Sequence, residues 1–279
     1  MALAMASFVA NDALVKFVSQ SLPAAQLIFL RGLFAVALLL CAAHLMGLLR
    51  TPAKGMLGPV QQVMLRPVLI RSALDALATM VYLASLFHLP LGNATAINMA
   101  TPLMITLFVV LAWHEKVSMG RWVAILIGFA GVLMIVQPAA DSFNAWALLC
   151  FAGTALHAAR DLCTRKIPGH VPSVLITLGT AVAVTTLAGV LSLAQGWQAF
   201  TSVQLALLAT ASVFLSVGYY LLILSNRAGD MSVVAPFRYV GLLFALILGW
   251  AVWGDLPNAL AWTGIALLLG AGLYMLRRT

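Results

Sequence analysis

Asp12 and Lys16 stand four residues apart in the apolar stretch "FVANDALVKFV", and Asp161 and Arg165 repeat that spacing in "LHAARDLCTRK". Residues at i and i+4 share one helix face, so each pair can neutralise itself, as a structural ion pair or as a gate. Arg31 and Asp75 also fall inside apolar segments. With Arg71 assigned to the connection before Asp75, both need a partner on another segment. A charge near the centre of a bilayer costs at least ~2.5–3.5 kcal/mol on insertion scales, which makes such residues functional candidates by default. Asp75 reads as a proton carrier or, more plainly, as half of a locked salt bridge.

Arg238 lies two positions after Pro236 in "APFRYVG", with Tyr239 beside it. A guanidinium presents a planar fork of donors suited to a carboxylate, and snorkelling to the membrane surface is its structural alternative. Thr79, Tyr82, Asn98, Thr101, His157 and Ser216 supply hydroxyl, amide and imidazole groups on other segments. Such groups line a polar cavity or cross-link helices. Pro102 and Pro236 are candidate hinges, because proline removes a helical hydrogen bond and kinks the helix. There is no HxxxH, CxxC or carboxylate cluster, so neither metal, cofactor nor disulfide is expected. Cys41, Cys150 and Cys163 read as small core residues.

The elements that must carry these residues are membrane helices. Of 279 residues, 63% are hydrophobic and 8% charged, against about 45–50% and 25% in soluble domains. The excess runs from end to end, which predicts an all-α polytopic membrane protein. The +8 net charge comes from basic residues in ones and twos, which argues against nucleic acid. Apolar blocks of about 20 residues between turn signals predict ten spans, near 2–19, 24–46, 68–88, 93–113, 119–137, 145–164, 173–194, 203–225, 231–253 and 257–276. The first lacks a basic leader and carries charges that would interrupt a signal sequence. With a cytoplasmic N-terminus, twelve of the fifteen Lys and Arg fall in inner connections and none in outer ones, where Asp141 and Asp255 lie. That split predicts both termini in the cytoplasm.

An internal duplication is also visible. A shift of 149 residues puts Asp12 on Asp161, Lys16 on Arg165 and Pro23 on Pro172. A shift of 140 puts Glu115 on Asp255, Trp122 on Trp262 and Asn98 on Arg238. The difference matches the longer loop between spans two and three. Repeats 1–138 and 139–279 of five spans each must enter the membrane in opposite senses, an arrangement typical of secondary transporters with a midplane site. Spans five and ten are the least polar. Their Ala124–Gly128 and Ala266–Gly270 spacings suit packing helices or a homodimer contact.

The stretches "NDALVK" to "LPAAQLIFLRGLFA", "NATAINMATPLMITLFVVLAWHEKV" and "VVAPFRYVGLLFALILGWAVWGDLP" resemble the drug/metabolite transporter superfamily, in its EamA-type ten-helix branch. The resemblance covers the whole chain. It implies alternating access in a bacterial inner membrane, with a small-molecule substrate and the lipid bilayer as the partners. Members export amino acids or drugs, or take up riboflavin, S-adenosylmethionine or sugar conjugates. A YddG-type amino-acid exporter is the nearest picture, so amino-acid export is expected first. Uptake of riboflavin or S-adenosylmethionine, or export of cationic drugs, is the alternative. A channel would repeat a polar filter and an enzyme would carry a motif such as GxSG or HExxH. Neither pattern is present, and an enzyme is not expected.

Overall fold

In the computed structural model, described over residues 1–49, 58–113, 118–136, 145–164, 166–228 and 239–277, every regular element among those residues is helical. They run α1 (Ala2–Val18), α2 (Ala24–Leu45), a short α3 (Pro59–Val63), α4 (Arg66–Leu86), α5 (Leu91–Asn98), α6 (Thr101–Trp113), α7 (Met119–Val136), α8 (Ala145–Thr164), α9 (Ser173–Gln195), α10 (Ser202–Ala228), α11 (Val240–Trp253) and α12 (Ala259–Arg277). Four stretches are long and apolar enough to cross a bilayer: Ala24–Leu45, Arg66–Leu86, Ser173–Gln195 and Ser202–Leu221. Shorter apolar helices cover Trp122–Ile135, Val240–Trp253 and Ala259–Tyr274. Large apolar side chains such as Leu45, Leu126, Leu193 and Ile247 face outward, as they must where the surrounding solvent is lipid.

The helices pack as antiparallel pairs. Along α1 and α10, the Met1 ammonium meets Ser225 at 2.6 Å, Phe8 meets Tyr219 and Ser21 meets Gln204. Gln26 clasps the Gln198 backbone while Gly32 abuts Thr185, which runs α2 against α9. On α4 and α8, Arg71 meets Thr164, Asp75 meets Arg160 and Tyr82 meets Gly153. Gly153 lets the two helices approach closely there, since a Cβ would stand a tight 3.1 Å from the Tyr82 backbone nitrogen. Finally, α7 and α12 cross at Gly131 and Gly264, where a Cβ on either would come within 2.6 Å of the other's carbonyl oxygen. Further contacts join α4 to α9, α2 to α10, α1 to α11, and α8 to both α5 and α6.

Four expectations change. The fourth predicted span is two helices, broken at Met99–Ala100. Pro102 has no N–H for the Asn98 carbonyl, and the Thr101 hydroxyl takes that acceptor at 2.6 Å. Arg71 and Arg160, read as loop charges, lie within α4 and α8. Both make buried polar contacts there, so they drop out of the charge count on which the expected orientation rests. Cys41 is exposed on α2, while Cys150 is buried. The close seam between α7 and α12 uses Gly131 and Gly264 rather than Gly270, which faces open space.

Candidate functional site

Two polar clusters cross the helix pairs. The first is built on α4 and α8. Asp75, 1% exposed, receives Arg160 Nη1 at 2.7 Å and has Arg71 Nη1 3.8 Å away. Arg160 also grips Asp161 through Nε at 3.0 Å and Nη2 at 2.7 Å. Arg71 Nε donates to Thr164 at 3.0 Å, and its Nη1 donates to the Thr180 hydroxyl. The adjacent Ser72 lies 3.4 Å from Thr180. Charges and hydroxyls of α4, α8 and α9 thus form one closed net. Asp75 does find the expected partner on another span. It also has one on its own helix, because Arg71 stands one turn before it on the same face.

The second cluster joins α1, α2 and α4. Arg31 Nη1 donates to Asn11 Oδ1 at 3.2 Å, Asn11 Nδ2 donates to Asp12 Oδ1 at 2.9 Å, and the Tyr82 hydroxyl donates to Asp12 Oδ2 at 3.3 Å. Tyr82 connects this cluster to the break in span four. Its ring centroid is 5.6 Å from that of His157, whose Nδ1 stands 3.3 Å from Asn98 Oδ1. The broken helix therefore presents Asn98 to His157 of α8, beside Tyr82 of α4, while the Thr101 hydroxyl turns back onto Asn98.

Lys16 lies apart from both clusters, at the end of the bundle where α1 meets the α4–α5 and α11–α12 connections. Its ammonium donates to the Leu89 carbonyl, lies 3.8 Å from Asp255 Oδ2 and sits 5.0 Å over the Trp253 ring. This corrects the expected Asp12–Lys16 pair. Asp12 is occupied one turn deeper by Asn11 and Tyr82, and the long Lys16 stem reaches the rim, where a carbonyl and a half-exposed carboxylate are available. Asp161 is bound by its neighbour Arg160. Its expected partner Arg165 lies outside the described residues, as do Arg238 and Pro236.

Of the remaining expected residues, Tyr82, Asn98, Thr101 and His157 are brought together, while Thr79 and Ser216 are half-buried on α4 and α10. Tyr239 turns its hydroxyl onto Gly272 of α12, on the packing side of its helix. Reading by segments missed Asn11, Arg71 and Arg160 as interior partners and Asp255 as the rim partner of Lys16. The spacing Arg71–Asp75 was the one available signal. The others pair across helices and leave no trace in local spacing.

Comparisons with known proteins agree with this architecture. The EamA-like transporter family matches residues 1–137 and 144–277. A riboflavin transporter of Rhizobium johnstonii is 34% identical over 75% of this chain and 69% of its own. A pseudopaline exporter of Pseudomonas aeruginosa is 27% identical over 99% of this chain and 94% of its own. An S-adenosylmethionine uptake transporter of Rickettsia bellii is 25% identical over 67% of this chain and 64% of its own. One solved crystal structure superposes over 99% of this chain and 96% of its own, with a TM-score of 0.66 at 17% identity. That likeness speaks to the fold alone.

Proposed function

Because the chain belongs to the EamA-like transporter family, we propose that it is a secondary-type carrier that moves a small polar metabolite across the bacterial inner membrane by alternating access. Ten spans form two inverted repeats, 1–138 and 139–279, with both termini cytoplasmic. The helix contacts support the repeat. Exchanging every span for the one five along turns α1–α10 into α8–α4, α4–α9 into α10–α2, and α1–α11 into the contacts of α8 with α5 and α6. It maps α2–α9 and α7–α12 onto themselves. Pro102 and Pro236 are the hinges, and the rocking surface runs between the halves.

The balance of charge in the polar belt carries the substrate reading. Arg71 and Arg160 are matched by Asp75 and Asp161, and these ion pairs are satisfied within the belt. Besides the unpaired Arg31, what remains to meet a substrate is hydrogen-bonding and aromatic: Tyr82, His157, Asn98 and Thr101. Such a lining suits a neutral, ring-bearing, hydrogen-bond-rich molecule, and riboflavin stands first. The likeness to riboflavin transporters supports the same choice.

Amino-acid export is the second reading. Its support is the sequence position of Arg238, beside Pro236 and opposite Asn98 in the repeat, where it would hold a carboxylate. The test is a proteoliposome panel of labelled riboflavin, leucine and S-adenosylmethionine, with and without a pH gradient. Saturable riboflavin flux competed by unlabelled riboflavin is expected. Leucine flux that is lost with leucine amide and in Arg238→Ala, with no riboflavin flux, would move amino acids to first place.

A further inference from the structure

We propose that Arg31 is a substrate-docking residue whose guanidinium receives a planar pair of hydrogen-bond acceptors: the carbonyl and ring-nitrogen edge of a flavin, or a carboxylate. The proposal deepens the carrier reading above and rests on it for the identity of the substrate.

Arg31 is unlike the other buried cations. It lies seven residues beyond Ala24, about 10 Å along the helix at 1.5 Å per residue, and is only 5% exposed. Arg160 holds two carboxylates at 2.7 Å. Among the described residues, no carboxylate comes within 4.0 Å of Arg31. Its Nη1 reaches the neutral Asn11 amide at 3.2 Å, longer than the roughly 2.7–2.9 Å of a charge-assisted bond to a carboxylate. Its Nε is buried and has no partner. A buried, unmet donor on a charged group is a large penalty, and a purely structural arginine would relieve it by taking Asp12 directly.

The surroundings prevent that. Asp12 is held by Asn11 at 2.9 Å and by Tyr82 at 3.3 Å. The Asn11 amide thereby stands between the two charges. Asp12 makes no ion pair with the guanidinium within 4.0 Å, and the Nε edge is left without a partner. The backbone is fixed as well: Ser212 donates to the Arg31 carbonyl at 2.8 Å, and the next residue, Gly32, abuts Thr185. The result is a buried guanidinium on a fixed stretch of backbone, with an unpartnered Nε and, among the described residues, no carboxylate within 4.0 Å. Its chemistry is that of arginine reading the O6 and N7 acceptors of guanine. The C4 carbonyl and N5 of an isoalloxazine present the same in-plane pair, and a carboxylate presents two oxygens.

The experiment measures flux in proteoliposomes and ligand-induced thermal stabilisation in detergent for the wild type, Arg31→Lys and Arg31→Gln. Riboflavin is compared with 5-deazariboflavin, which lacks the N5 acceptor, and leucine with leucine amide. The carried substrate should show at least a tenfold higher KM in Arg31→Lys, with a smaller change in kcat. The wild type should prefer the analogue with both acceptors, and that preference should vanish in Arg31→Lys. An unchanged KM in Arg31→Lys overturns the proposal, and that variant suffices should Arg31→Gln fail to fold. Benzoate, which carries the acceptor edge and little else, separates this claim from the substrate reading. If the wild type moves neither riboflavin nor leucine, yet benzoate stabilises it and not the Arg31 variants, the substrate reading falls and the docking site stands. Benzoate stabilising all forms equally, or none, removes the docking site.

Discussion

Replacing Asp75 by Asn takes the negative charge out of the most buried ion pair among the described residues and leaves the shape of the side chain nearly unchanged. The Asp75 side chain is 2% exposed, against 16% for Arg160 and 10% for Arg71, so water screens little of what is lost. At an effective dielectric of about 20, unit charges 4 Å apart attract by about 4 kcal/mol. The Arg71 contact at 3.8 Å is near that value, and the Arg160 contact at 2.7 Å exceeds it. Much of this is recovered elsewhere. Arg160 keeps Asp161, and Arg71 keeps Thr164 and Thr180. Removing one member of a buried pair costs about 3–5 kcal/mol. With these remaining partners, Asp75→Asn should fall at the lower end, about 3 kcal/mol. The assay is a double-mutant cycle with Arg160→Gln, read as stability in detergent. The double variant should lose less than the sum of the singles, with a coupling energy of at least about 1.5 kcal/mol. Additive losses, or an Asp75→Asn protein as stable as wild type, would refute the reasoning.

Exchanging the charges of Lys16 and Asp255 should restore part of the stability that either single reversal removes. The gain will be modest, about 1 kcal/mol or less, because the Asp255 side chain is 35% exposed; failure of the exchange to recover anything would count against the contact. Gly153→Val should lower stability by about 1–3 kcal/mol through overpacking against the Tyr82 backbone, measured as a fall in Tm, whereas a wild-type Tm would show that α4 and α8 separate at no cost. Single cysteines at Ser142 and Lys54 in a Cys-free protein should differ in impermeant-thiol labelling of intact cells. Position 142 should react, and labelling at 54 alone would invert the orientation.

The spans were legible because a bilayer imposes a length: nearly every predicted segment meets a helix within a few residues. The weak point of span four was legible too, since Pro102 cannot donate to Asn98 whatever surrounds it, but the full division into two helices was not. What spacing could not reveal is which buried charge meets which. Asp12 and Lys16 have the spacing of a pair, yet the chain places a carbonyl and Asp255 nearer to the Lys16 ammonium. Arg71 and Arg160 were read as loop charges because a charge inside an apolar run usually marks its end. Here the insertion cost is cancelled by Asp75, which lies 85 residues from Arg160 in sequence. Asn11, flanked by a more conspicuous aspartate, gave no signal of its own, and only its place between Arg31 and Asp12 shows its use.

Counterflow tests the carrier mechanism most directly. Proteoliposomes preloaded with unlabelled riboflavin are diluted into a trace of labelled riboflavin. A site exposed to one side at a time exchanges label inward faster than it empties. Internal label should therefore rise transiently above its equilibrium level and then decay, with an initial rate that saturates with substrate. A monotonic approach to equilibrium, unaffected by preloading and linear in concentration, would contradict alternating access.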